Sequence, residues 1–189
     1  MMTLRILFVA LAAALLSACA SRQDAPVPRP TAYPRVSDPG TVYVAVDSLP
    51  VLFEVNSAAE VERPRADWLD IRYPDWHVTI HVSLTAVDPA EFERALDNRI
   101  QRIHLNVASL AVTEELELDS PEFSSVLLSS PDARSTPLQF IAVGDSTMIV
   151  SGVAFFENVA PEASVDSLAP MVRYLRRDLT HALENLSYR

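Results

Sequence analysis

DWLDIRYPDWHVTIHVSL, residues 67–84, alternates between apolar and polar side chains along nearly its whole length. In its second half, Trp76, Val78, Ile80, Val82 and Leu84 fall on one side and His77, Thr79, His81 and Ser83 on the other. A period of two with one apolar side is the pattern of a half-buried strand. Residues 67–73 alternate in the same way, and Pro74-Asp75 between them supplies a turn whose proline suits a type I geometry within a four-residue loop. The expectation is an antiparallel hairpin pairing Tyr73 with Trp76, Ile71 with Val78 and Leu69 with Ile80. On its other face Arg72 then lies opposite His77, Asp70 opposite Thr79 and Trp68 opposite His81.

Further strands are expected at residues 51–56, 111–118, 124–129, 137–143 and 147–156, with Gly144-Asp145-Ser146 turning the last two into a hairpin. Two helices stand out by cap and spacing. The first opens at Asp88-Pro89, carries Glu91 three residues after the cap, and repeats Phe92, Leu96, Ile100, Ile103 and Val107. The second opens near Asp166-Ser167, tolerates Pro170 in its first turn, and repeats Leu168, Val172, Leu175, Leu179, Leu183 and Leu186. Each stripe needs a sheet to cover it. The order strands, helix, strands, helix predicts an α+β domain with a mainly antiparallel sheet.

Ahead of this domain, residues 6–16 are an unbroken apolar run behind Arg5, too short to span a bilayer and typical of a secretory signal. Leu16-Ser17-Ala18-Cys19 resembles the bacterial lipobox, which implies that Cys19 receives a diacylglyceryl thioether and becomes the first residue after cleavage. The amine exposed by cleavage is often acylated too, and three acyl chains at about 0.8 kcal/mol per buried methylene amount to roughly 30 kcal/mol, an effectively permanent anchor. Residues 20–40 hold five prolines and read as an extended tether, which in polyproline II reaches roughly 60 Å. The expected organisation is a signal peptide at 1–18, the lipidated cysteine and tether at 19–40, and one domain at 41–189.

The chain has 15 basic and 25 acidic residues and a net charge of −10. Such a surface repels polyphosphate, so nucleic acid is not an expected partner. Cys19 is the single cysteine, which leaves the domain no disulfide, thiolate nucleophile or cysteine metal site. With three glycines, close wrapping of a nucleotide is not expected, and neither an HExxH nor a GxSxG motif occurs. His77 and His81, four residues apart on a strand at about 3.3 Å per residue, would lie some 13 Å apart, too far to share one ion. His104 and His181 read as helix-surface histidines, Glu114, Glu115 and Glu117 as a solvated strand face, and Arg176-Arg177-Asp178 as surface ion pairing on the polar side of the last helix. No catalytic residues, metal or cofactor are expected. Trp68, Asp70, Arg72, His77, Thr79 and His81 form a patch that suits either a protein contact or plain exposure.

Four segments carry a resemblance. The lipobox, PRPTAYPRV (28–36), the hairpin at 67–84 and the block STPLQFIAVGDSTMIVSGVAFFENVAPEASVDSLAPMVRYLRRDL (135–179) together resemble the gliding motility lipoprotein family GldD. The resemblance implies a lipoprotein of the gliding apparatus, a machine linked to type IX secretion, with no known enzymatic activity and no catalytic residues to transfer. Many members carry paired cysteines where this chain has Leu49 and Asp67, so their disulfide cannot form here. The element order also resembles the PsbP/Mog1-like fold, an analogy of fold alone.

The expected function is docking to other envelope proteins through Tyr33, Arg35, Trp68, Arg72, His77 and His81, by a non-enzymatic protein anchored in the membrane through its N-terminal lipid. The resemblance implies that surface-exported lipoproteins of this group often carry an acidic cluster just after the cysteine; here the first acid is Asp24, which favours a periplasm-facing anchor, with the outer membrane as first choice and the inner membrane as the alternative. A periplasmic ligand-binding lipoprotein or hydrolase is the competing class, and a pocket lined by His77, His81 and carboxylates would favour it.

Overall fold

The computed structural model describes residues 36–107, 114–130, 132–159 and 165–189. In chain order these residues form strands β1 (Tyr43–Ala45), β2 (Val51–Leu52), β3 (Glu54–Asn56), β4 (Glu60–Arg65), β5 (Trp68–Tyr73) and β6 (Val78–Ala86), then helix α1 (Phe92–Val107). Strands β7 (Glu114–Asp119), β8 (Ser124–Ser129), β9 (Leu138–Val143) and β10 (Met148–Phe156) follow, then helix α2 (Val165–Glu184) and β11 (Ser187–Tyr188). Seven strands make one antiparallel sheet in the order β4-β5-β6-β10-β9-β8-β7. Two short ladders, β1 with β3 and β2 with β11, stand beside it.

The main sheet is two meanders joined along their longest strands. Val78–Ala86 pairs with Met148–Phe156 over nine residues, from Val78 opposite Phe156 to Ala86 opposite Met148. Alternation then sorts the side chains. One face carries Leu69, Ile71, Val78, Ile80, Val82, Leu138, Phe140 and Val150, and packs against Leu175, Leu179 and Leu183 of α2. The opposite face is divided. Across β8 to β10 it presents Leu128, Ile141 and Ile149, which pack against Phe92 and Ile103 of α1. Across β5 and β6 it presents Trp68, Asp70, Arg72, Thr79, His81 and Ser83. The fold is therefore α+β, with a mainly antiparallel sheet between two amphipathic helices.

Several expectations need correction. The hairpin register is displaced by two residues: Tyr73 pairs with Val78, Ile71 with Ile80, Leu69 with Val82, Asp70 with His81, Arg72 with Thr79 and Trp68 with Ser83. The cause is the turn. Pro74–Trp76 forms a 3-10 turn, and His77 closes it in the left-handed region at φ 52°. Trp76 leaves the strand to stack on Tyr73, with centroids 5.0 Å apart and planes 5° from parallel, and lies 6.0 Å from Tyr174. Aromatic burial thus consumes residues that a simple alternation assigns to β6. A shift of two preserves the face of every side chain, so only the opposing partners differ from the expectation.

The expected strand at 51–56 splits at buried Phe53 into β2 and β3, which pair with different partners. The strand expected at 111–118 is described from Glu114, its first three residues lying outside the described part. Strand β4 adds to the expected strands and contains Pro64. It is an edge strand with an irregular register between Glu62 and Arg65, where a missing N–H does least harm. Asp88 caps the first helix as its sequence suggests, its side chain accepting the Ala90 N–H at 2.9 Å through one 3-10 turn. Pro170 is the sixth residue of α2 as described, in the second turn and not the first, so Asp166 C=O has no N–H at that position to accept. The end of the proline-rich stretch is held by the domain: Val36 packs on the core, Asp38 accepts from Arg177 at 3.0 Å, and Gly40 C=O accepts from Asn56 Nδ2 at 2.9 Å.

Gly152 of β10 is a packing requirement. It lies opposite Phe140 of β9, whose ring fills the space a side chain would occupy. An added Cβ would overlap the Phe140 ring and come 2.9 Å from the His81 carbonyl oxygen. Gly152→Ala is expected to cost about 1–3 kcal/mol of stability, seen as a lower midpoint in chemical unfolding. An unchanged midpoint would refute this account of the joint between the meanders.

Candidate functional site

The polar part of the divided face is built around one carboxylate oxygen. Trp68 and Asp70 are neighbours on one face of β5, and the β5–β6 register brings His81 directly opposite Asp70. Asp70 Oδ1 accepts the Trp68 indole Nε1–H at 2.6 Å and lies 2.8 Å from His81 Nδ1. An ionised carboxylate only accepts, so His81 carries its proton on Nδ1 and presents Nε2 away from this contact. The His81 ring lies 6.1 Å from Trp68 and 6.4 Å from Phe155. Trp68 and Phe155 are 37% and 40% exposed, a solvent-facing pair with an imidazole between them.

At the rim, Arg72 donates to Glu62 Oε1 at 2.8 Å and Thr79 donates to Glu157 Oε1 at 3.2 Å. Side chains already held by hydrogen bonds lose less rotamer freedom when a partner covers them. Toward α1 the face descends into a groove of about 230 Å³, bordered by Trp68, His81, Ser83, Arg99, Arg102 and Ser151.

Of the residues singled out from sequence, Trp68, Arg72 and His81 share this face. His77 does not: it is exposed at the end of the turn, and its carbonyl accepts the Glu157 N–H at 2.8 Å. The separation expected between His77 and His81 along one strand therefore does not apply, because a left-handed residue cannot continue the strand. Cys19, Tyr33 and Arg35 lie outside the described residues. His104 is exposed on α1. His181 is more than a surface histidine, because its ring stacks on Tyr43 at 3.7 Å and its Nε2 lies 2.6 Å from Glu54 Oε2. Among the described residues, no group of three His, Cys, Asp or Glu side chains is placed to hold a metal ion.

Asp178 was misread in sequence. It is 5% exposed, on the inner side of α2, where its carboxylate accepts the Tyr43 hydroxyl at Oδ1 and the Tyr73 hydroxyl at Oδ2, both at 2.9 Å. Arg177 Nε adds a third contact at 3.2 Å while its Nη1 reaches Asp38. One buried carboxylate thereby ties β1, β5 and α2 together, and Arg177 links the segment at Asp38 to the same cluster. The signal was present in the spacing: Asp178 follows Leu175 by three and adjoins Leu179, which puts it beside the apolar stripe. Burial, followed by the Asp178 charge and its hydrogen bond, raises the Tyr73 pKa far above its ordinary value, and Tyr43 is raised for the same reasons.

The model of the gliding motility lipoprotein GldD family matches residues 23–188. No curated protein matches. Among solved structures, the chain is similar to the Saccharomyces cerevisiae Ran-binding protein Mog1p, with 11% identity and a TM-score of 0.44, over 78% of this chain and 94% of that one. A point variant of Mog1 gives the same identity and TM-score over 78% and 95%.

Alkaline pH probes the Asp178 cluster directly. Tyr73 has a higher pKa folded than unfolded, so its contribution is intact below the unfolded value of about 10 and is lost as pH rises from there toward the folded value. Tyr73→Phe is expected to cost about 1.5–3 kcal/mol at neutral pH. It should also flatten the decline above pH 10 by about one proton, or roughly 1.4 kcal/mol per pH unit. Urea unfolding at pH 7 and at several values above 10 reads both, and an unaltered slope in the variant would remove Tyr73 from the cluster.

Proposed function

Because the chain belongs to the gliding motility lipoprotein GldD family, we propose that it is a lipid-anchored, non-enzymatic protein of the cell envelope that serves gliding motility and type IX secretion by docking other envelope proteins. The observation that carries this reading is the preordered face of β5 and β6, where Trp68 and His81 share one oxygen of Asp70 and Phe155 lies beside them. Tryptophan, with arginine at the rim, is the composition of residues that dominate protein contacts.

The anchor gives such a face its effect. Acylation at Cys19 and the proline-rich tether confine the domain to a layer next to the membrane, so a weak contact becomes populated through effective concentration. Among the described residues no helix is long and apolar enough to cross a membrane, and in this reading the lipid is the attachment. In this reading the domain faces the periplasm, in keeping with the late first acid at Asp24, from the outer membrane or, as the alternative, the inner membrane. Tyr33 and Arg35 of the tether motif form a second contact element.

The competing reading, a ligand-binding lipoprotein or hydrolase, looks for His77, His81 and carboxylates around one pocket. The groove beside Trp68 is bordered by His81 without His77, and no carboxylate is among its lining residues. Among the described residues the Asp70–His81 pair has no hydroxyl engaged at its far end, and Ser83 Oγ lies 3.2 Å from Ser151 Oγ. These features favour docking over hydrolysis.

Cys19→Ser is expected to move the chain from the washed membrane fraction to the soluble one. Alanine at Tyr33, Arg35 or Trp68 is expected to reduce protein secretion and colony spreading with the chain still present in the envelope. Secretion and spreading at wild-type levels in all three variants would sink the docking reading.

A further inference from the structure

Arg72, Arg94, Arg176, Arg177 and Arg189 each have a carboxylate partner, in Glu62, Glu91, Glu114, Asp38 and Asp47 respectively. Arg63, Arg65, Arg173, Arg99 and Arg102 form no such pair among the described residues, and of these Arg99 and Arg102 share one groove. Three residues apart on α1, they lie on neighbouring positions of one helix face, and no carboxylate among the described residues forms an ion pair with either. Both border the groove between α1 and the polar face of β6 and β10. Arg99 is half-buried there, and one of its N–H groups reaches Thr85 Oγ1 at 2.9 Å. Burial first, and the Arg102 charge second, pull the Arg99 guanidinium below its ordinary pKa. A partly desolvated guanidinium beside a second positive charge is favoured by the arrival of a negative group.

The remaining walls suit such a group. Ser83 Oγ and Ser151 Oγ lie 3.2 Å apart on the sheet side, and whichever donates to the other leaves one hydroxyl hydrogen free to point into the groove. Trp68 forms a flat apolar wall whose indole is fixed by Asp70. At about 230 Å³ the space is below the usual range for drug-sized ligands of about 300–1,000 Å³, so it accepts a head group with a small ring, or the end of a longer molecule.

We propose that this groove binds a ligand carrying a carboxylate or phosphate group, with the anion seated between Arg99 and Arg102 and a ring or apolar portion lying along Trp68. Planar guanidinium forks match both oxyanions. A second recess is lined by Arg173, Arg176 and Arg177, but there Arg176 and Arg177 are already paired with Glu114 and Asp38. The inference stands independently of the docking reading, since a small anion can occupy the groove whether or not a protein covers the outer face.

The test uses the full lipidated chain in an uncharged detergent, followed by calorimetry. It is titrated in separate arms with inorganic phosphate, with N-acetyl-phenylalanine and, as control, with N-acetyl-phenylalanine amide. Saturable binding of phosphate or of the carboxylate, without binding of the amide, is expected, and the arm that saturates identifies the anion. Affinity should fall as sodium chloride is raised, drop at least about tenfold in Arg99→Gln/Arg102→Gln, and persist in Arg176→Gln. Arg102→Gln alone changes an exposed residue and carries the same expectation without risk to the core. No saturation of either anion up to about 50 mM, equal binding of the amide, wild-type binding in the Arg102→Gln chain, or an equal loss in Arg176→Gln would each overturn the proposal.

Discussion

The polar face depends on the ladder that joins Val78–Ala86 to Met148–Phe156, on which the β5–β6 hairpin carrying Trp68, Asp70 and Arg72 is built. The two strands of the ladder are far apart in sequence, so their pairing costs loop-closure entropy that local contacts cannot offset. What offsets it is burial on both faces, with Ile80, Val82, Val150 and Ala154 toward α2 and Ile149 toward α1. Gly152 lets Phe140 of the next strand lie flat over the joint. Because α1 covers the apolar half of its face, the half over β5 and β6 is left open to carry Trp68, Asp70 and His81.

Charge is organised in two ways. Near the surface, arginines of an acidic chain find carboxylates, as Arg72 does with Glu62 and Arg176 with Glu114, contacts that contribute little stability individually. Two carboxylates act as hubs, Asp178 inside and Asp70 on the open face. Asp178 is buried yet satisfied by two tyrosine hydroxyls and Arg177, so the cost of desolvating it is met by donors from three separate parts of the chain. Asp70 fixes an indole and an imidazole with a single oxygen, giving the open face a defined shape before any partner arrives.

In the proposed docking role the protein would contribute position more than chemistry. The family to which the chain belongs is one of motility lipoproteins, and a lipid anchor with a tether explains how a face of modest area becomes useful: confinement raises the local concentration of a surface whose side chains are already ordered. The arginines of α1 add a different capacity, a small positive recess at the edge of that face.

Much of this was legible in residue spacing. The alternation in WHVTIHVSL placed Val78, Ile80 and Val82 inward and Thr79, His81 and Ser83 outward, and the stripes of Phe92 to Ile103 and Leu175 to Leu183 located both helices. Those periods follow from backbone geometry within a few residues, so any short window of sequence contains them. The two-residue displacement of the hairpin, the left-handed turn at His77, the burial of Asp178 between Tyr43 and Tyr73, and the contact of Arg99 with Thr85 were decided by the tertiary structure alone. Each depends on which distant segment supplies the neighbour, a stacking ring, a hydroxyl or a facing strand, and no local period encodes that choice.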